Sequence, residues 1–218
     1  MNGHLRNAAA GLALVALAAG CSSRNSISDG PTTLSVARSA LGQVLASRKA
    51  APAGAPADPQ AMAAEAMRVN PGPLILVGLE QAGTTQVLAM TGDNPQAGTR
   101  TFMTKNEQSV ILRGMMVRGT RGLGHDLSVV EADQSAALVA AGQSGTARRI
   151  MRYYSGDGLE RRLDFTCQIG PGPKAGVMVE TCRGHGLSFQ NNYLRSGGVS
   201  RQWLGPGLGY ATIQVLRN

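Results

Sequence analysis

The chain predicts a mainly β fold, one large antiparallel meander with a few helices packed against it. From Pro73 to the C-terminus, strand-like runs recur at short intervals, separated by turns rich in Gly, Pro, Asp, Asn and Ser. Helical periodicity is confined to the N-terminal third and to one segment near residues 128–142. No internal repeat of fixed period is present, which argues against a propeller or a solenoid.

The N-terminus reads as an export leader. Arg6 supplies a basic start, Ala8 to Ala19 an apolar stretch too short to span a bilayer as a helix, and small residues precede Cys21. The run Leu17-Ala18-Ala19-Gly20-Cys21 resembles a bacterial lipobox, although Ala18 stands where Leu is commonest. That resemblance implies cleavage after Gly20 and acylation of Cys21. Two or three acyl chains give stable anchoring, because each buried methylene contributes about 0.8 kcal/mol and a single chain is only marginal. Ser22, rather than Asp, after the modified cysteine implies, by the sorting rule of enteric bacteria, the periplasmic face of the outer membrane. An ordinary cleaved signal with an incidental cysteine is the alternative.

Residues 21–33 are polar and turn-rich, as suits a tether, and residues 34–218 are expected to form a single domain. Thr33 caps an expected helix in which Leu34, Ala37, Leu41, Val44 and Leu45 recur at helical spacing, with Arg48 and Lys49 at its end. Pro52, Pro56 and Pro59 break it, and a second short helix is expected from Gln60 to Arg68. Strands follow at Leu74 to Glu80, Thr85 to Thr91, Thr99 to Thr104, Ser109 to Arg113 and Met115 to Thr120. A helix is expected over Ser128 to Gly142, where Ser128 and Glu131 have capping-box spacing. Strands resume at Ala147 to Tyr154, Leu159 to Ile169, Gly176 to Cys182, Leu187 to Arg195, Val199 to Leu204 and Tyr210 to Leu216. The total is about eleven strands, and their short connections make neighbours antiparallel.

Removing residues 1–20 from the 218 leaves 198, enough for one domain with a real core, and reduces the net charge from +8 to +7. Of the 21 cations, 18 are Arg and 3 are Lys. Arginine pairs bidentately with carboxylate and phosphate, so an acidic polysaccharide or an anionic lipid surface is a candidate neighbour. The alternative is a compositional bias with dispersed charges. Export disfavours nucleic acid, and aromatics at 4% show no stacking pattern.

Beyond Cys21 only Cys167 and Cys182 remain, in a compartment that oxidises thiols, and they are expected to bond to each other across the turn Gly170 to Lys174. The pairing fits imperfectly. Leu163, Phe165, Cys167 and Ile169 share a face, whereas Cys182 lies opposite Val177, Val179 and Thr181, so a bulge near Thr181 is expected. A metal site is disfavoured, because His125 and His185 do not complete any usual ligand spacing.

Two further segments stand out: Thr120-Arg121-Gly122-Leu123-Gly124-His125-Asp126-Leu127, and Ser200-Arg201-Gln202-Trp203-Leu204-Gly205-Pro206-Gly207-Leu208-Gly209-Tyr210. With the lipobox, the cysteine pair and the length, they resemble the YjbF/GfcB family, the group 4 capsule polysaccharide lipoproteins. The resemblance covers essentially the whole mature chain. It implies an antiparallel sheet curled into a half-barrel and a membrane-anchored, noncatalytic periplasmic accessory of exopolysaccharide or capsule production, working beside polysaccharide export proteins. No role carries over to His125.

Read for themselves, the glycines of both segments suit structural corners. Arg121 and Asp126 are candidates for an ion pair pinning the first corner. Arg201, Gln202, Trp203 and Tyr210 are candidates for a groove, although a lone Trp is more often core. No nucleophile elbow, nucleotide loop or cofactor motif appears, so no catalytic residue is assigned and no cofactor is expected. Asp157, Glu160 and Asp164 sit among Arg161 and Arg162 like a solvated edge. Two other readings remain: a lipid or lipoprotein carrier with a LolA-like half-barrel and an apolar cavity, and a carboxylate-dependent envelope enzyme acting on glycan.

Overall fold

A computed structural model describes residues 58–154 and 159–218. The leader, the lipobox, the tether, the helix expected after Thr33 and the turn at residues 155–158 lie outside the described residues. Two α-helices and twelve strands make up the described fold.

Helix α1 spans Pro59–Val69, opened by Pro59 in its first turn and by the Asp58 carboxylate, which accepts from the Gln60 N–H. Its C-terminal end is tied down from afar. The Arg217 guanidinium donates to the carbonyls of Met67, at 2.9 Å, and Asn70, where the last carbonyls of a helix lack intrahelical partners.

The strands are β1 (Leu74–Leu79), β2 (Thr84–Asn94), β3 (Thr99–Met103), β4 (Ser109–Arg113), β5 (Met116–Arg121), β6 (Leu127–Glu131), β7 (Gly145–Tyr154), β8 (Glu160–Pro171), β9 (Val177–Gly184), β10 (Leu187–Leu194), β11 (Val199–Gly205) and β12 (Gly209–Arg217). Helix α2 (Asp133–Ala141) lies between β6 and β7. All pair antiparallel in one sheet, in the order β5-β4-β3-β2-β1-β12-β11-β10-β9-β8-β7-β6.

That order dictates the shape. Strands β5 and β6 are consecutive in the chain yet form the two edges of the sheet. At about 4.8 Å per strand, a flat sheet of this size would separate its edges by roughly 50 Å. The connection from Arg121 to Leu127 reaches about 20 Å at full extension, so the sheet has to curl until its edges meet. The result is a nearly closed barrel, further rounded than the expected half-barrel.

Three expectations are corrected. Ser128 and Glu131 do not cap a helix; they belong to β6, where Val129 and Val130 pair with β7 and residues Leu127 and Val130 are buried. Cross-strand pairing and β-branched side chains outweigh the capping-box spacing, so the helix starts only at Asp133 and the strand count rises to twelve. No bulge occurs near Thr181. Cys167 faces Cys182, Gln168 faces Thr181 and Ile169 faces Glu180 in unbroken register. The inward residues of β9 are instead Met178, Glu180 and Cys182, because a buried partner neutralises Glu180.

The disulfide joins Cys167 to Cys182, both fully buried. Around it lies one core cluster that includes Phe165, Ile169, Met178, Phe189, Trp203 and Ile213. Phe189 and Trp203 stack at 4.4 Å, and Phe165 meets both edge-on.

Candidate functional site

Where the sheet closes on itself, the first conspicuous segment forms the seam. Thr120 is fully buried. Its hydroxyl accepts the Leu127 N–H at 2.9 Å and donates to Asp126 Oδ1 at 2.9 Å. Arg121 donates from Nη1 to the Leu127 carbonyl at 3.3 Å and from Nη2 to the Ser128 carbonyl at 3.2 Å. Asp126 also accepts the N–H groups of Gly122, at 2.7 Å, and Leu123, at 3.1 Å. The expected Arg121–Asp126 ion pair is thus replaced by two separate jobs: the guanidinium satisfies edge carbonyls of β6, and the carboxylate collects the amides of the turn. Gly119 packs closely on β6, where a Cβ would lie 3.1 Å from the Ser128 carbonyl oxygen and the strand would have to give by a few tenths of an ångström.

The second segment is the β11–β12 hairpin, and it abuts the first. A Cβ on Gly207 would sit 2.5 Å from His125, and one on Gly205 2.7 Å from the Tyr153 ring. Arg201 and Tyr210 stay in contact with each other, whereas Gln202 and Trp203 are buried. Arg201 makes a bidentate pair with Glu80 at 2.8 and 2.7 Å and lies 3.5 Å over the Tyr210 ring. Gln202 is fully buried and crosses the interior to the opposite wall, accepting the Val117 N–H at 3.0 Å and donating to the Met115 carbonyl at 2.7 Å. Trp203 is core.

The middle of the curl holds charges that the sequence pattern concealed. Arg149 and Glu180 are both fully buried and pair at 3.1 Å. Glu180 also accepts from Asn191 Nδ2 at 2.8 Å and from the Tyr193 hydroxyl at 2.9 Å. Burial works to raise the Glu180 pKa, but the Arg149 charge and these hydrogen bonds outweigh it and hold the carboxyl below its ordinary range. Burial likewise opposes the Arg149 charge, and Glu180 overrides it, leaving the guanidinium pKa raised. Burial, then the neighbouring carboxylate, push the Tyr193 phenol well above its usual value. Glu180 lies close to both cysteine sulfurs, but the disulfide leaves no thiolate to bind a metal.

On the outside, the acids of β8 are answered by arginines. Asp164 accepts from Arg148 and, at 2.9 and 3.1 Å, from Arg162. Arg152 pairs with Glu131 at 2.6 Å and lies 3.8 Å from Glu160. Asp157 lies outside the described residues. Next to this network, Gln134, Thr146, Arg148, Asp164, Thr166 and Arg183 line a cleft of about 410 Å³.

The model of the group 4 capsule polysaccharide lipoprotein family (GfcB, YjbF) matches residues 37–216. The chain belongs to that family. Among solved structures, it is similar to the hypothetical lipoprotein YmcC from Escherichia coli, with a TM-score of 0.56 and 16% identity over 67% of this chain and 87% of that one. At that identity the likeness shows the fold alone. No curated protein matches the chain. Family membership assigns the protein to the capsule-related lipoproteins, and the two segments that signalled it prove to be the seam and the hairpin packed against it.

Proposed function

We propose that the protein is a noncatalytic accessory of capsule or exopolysaccharide production and export, held by acyl chains on Cys21 at the periplasmic face of the outer membrane. The observation that carries this reading is the family match over residues 37–216. It is supported by the way the segments Thr120 to Leu127 and Ser200 to Tyr210 use their polar groups, which hold the barrel closed. Polysaccharide export proteins are the expected partners, and membrane lipid is reached through the anchor.

The carrier alternative requires an open apolar lining. The place where acyl chains would lie is occupied by Arg149, Glu180, Asn191, Tyr193 and Gln202, all buried. The glycan-enzyme alternative calls for carboxylates poised on a substrate, and Asp164 and Glu131 are instead engaged by arginines.

Deletion with complementation tests the proposal. Loss of surface polymer on deletion, restored by the wild-type protein and by variants of Glu131 and Asp164, is expected, with no turnover of polymer by the purified protein. Normal surface polymer without the protein would reject it. Cys21→Ser should release the chain from membranes, and unchanged membrane association would refute acyl anchoring.

A further inference from the structure

The cleft beside α2 is built from the outer faces of three strands and the first turn of the helix. Thr146 and Arg148 come from β7, Asp164 and Thr166 from β8, Arg183 from β9, and Gln134 from α2. Strand alternation puts these side chains outside while Ala147, Arg149, Phe165, Cys167 and Cys182 point into the core. The disulfide and the buried Arg149–Glu180 pair lie directly behind them on the same three strands, which makes the wall rigid. The adjoining β9–β10 turn is also fixed: a Cβ on Gly184 would clash with the Asp164 carbonyl, and His185 Nε2 accepts the Asp164 N–H at 2.9 Å.

Among the described residues, Gln134, Thr166 and Arg183 make no side-chain hydrogen bond or ion pair. This separates Arg183 from its neighbours, since Arg148 and Arg162 both hold Asp164. The cleft lining carries two guanidinium groups against one carboxylate, a net charge of +1. A free guanidinium is a planar donor fork that matches a carboxylate. Hydroxyl and amide groups on either side can both donate and accept, as sugar hydroxyls require. The volume falls within the range of small-ligand sites.

We propose that this cleft binds a uronate-bearing segment of an acidic polysaccharide, with the sugar carboxylate on Arg183 and its hydroxyls on Gln134 and Thr166. Arg183, the unpaired cation of the lining, suits one carboxylate, and a phosphate bound there would also face Asp164. The inference rests on the reading of the protein as a polysaccharide accessory and names the polymer chemistry that reading leaves open.

The test uses the mature full chain in detergent, titrated with tetragalacturonate, maltotetraose and inorganic phosphate while backbone amide shifts are followed. Tetragalacturonate should move the amides of Thr146 to Arg148, Asp164 to Thr166 and Arg183 to Gly184, and maltotetraose should not. Arg183→Ala should weaken that binding by about tenfold or more, since a hydrogen bond to a charged group contributes roughly 1.5–3 kcal/mol. Gln134→Ala should weaken it less, and Lys174→Ala, in the β8–β9 turn, should leave it unchanged. Equal losses in Arg183→Ala and Lys174→Ala, equal binding of maltotetraose, stronger binding of phosphate than of tetragalacturonate, or no shift at the cleft would each overturn the site. Failure here leaves the accessory role intact if deletion still abolishes surface polymer. Conversely, tetragalacturonate binding in a protein whose deletion spares the polymer would reject the cellular role while keeping the site.

Discussion

Arg148 and Arg149 are adjacent on β7, and each pairs with a carboxylate, yet they live under different physics. Arg149 points inward to Glu180, with both side chains at 0% exposure, and Arg148 points outward to Asp164, with its own side chain 65% exposed. Strand alternation alone separates them. Inside, the desolvation cost of each ion is severe, and hydrogen bonds from Asn191 and Tyr193 to the carboxylate offset part of it. Outside, water and salt screen the pair, and the side chains are free to part. The comparison teaches that an arginine–carboxylate pair serves as an architectural centre on one face of a strand and as a solvent-screened surface contact on the other.

The most damaging way to break the inner member is to leave one of its charges alone. Glu180→Gln should destabilise by about 3–5 kcal/mol at neutral pH, read from denaturant unfolding. Replacing both partners, in Arg149→Met with Glu180→Leu, should cost clearly less than the two single changes together. Additive losses would refute the coupling. The pH dependence has a definite sign. Because the folded state holds Glu180 below its unfolded value, its contribution is fully present above about pH 4.3 and is lost as pH falls through the lower folded value. The gap between wild type and Glu180→Gln should therefore narrow in acid, and a gap independent of pH would show that the carboxylate charge is not what stabilises.

Just behind the same wall, the disulfide limits the unfolded chain. Its sequence separation of 15 corresponds to roughly 3 kcal/mol on the loop-entropy model. Cys167→Ser with Cys182→Ser should lower stability by that order without changing membrane location. Free thiols in periplasmic material would contradict the bond. A smaller effect is expected at the seam. Thr120→Val keeps the shape but removes one hydrogen bond to Leu127 and another to Asp126, at a cost of about 1–3 kcal/mol. Amide exchange should accelerate at Leu127 and Ser128 first; exchange confined to other strands would show that the edges are held by something else.

Sequence and structure agree best where signals are local. Ser109 to Arg113 is the same strand in both, and the Pro59 helix start is legible because Pro restricts the backbone within a few residues. Strand β6 was hidden by a capping-box spacing, a local signal overruled by pairing with residues 150–153. The seam was hidden because Arg121 and Thr120 answer backbone groups of an edge strand, which no side-chain pattern announces. The inward position of Glu180 is masked by the valines that alternate with it on β9. A signal did exist: Cys167 shares a face with Phe165 and Ile169, so its partner Cys182 must point inward, and Glu180 two residues earlier must do the same. Arg149, between the buried Ala147 and Met151, was the matching cation.

The mildest perturbation sharpens the comparison most. Arg148→Ala should leave the unfolding midpoint without a measurable shift, because Asp164 retains Arg162 at 2.9 Å and solvent takes the vacated position. Raising salt should erase whatever difference remains, whereas the Arg149 and Glu180 variants should respond little to salt, their charges being out of reach of mobile ions. A double-mutant cycle on Arg148 and Asp164 should accordingly return a coupling near zero beside a large one for Arg149 and Glu180. If the outer cycle instead gave a coupling as large as the inner one, the β7–β9 wall would be an extension of the core, and the cleft beside Arg183 would lose its standing as a surface free to exchange its partners.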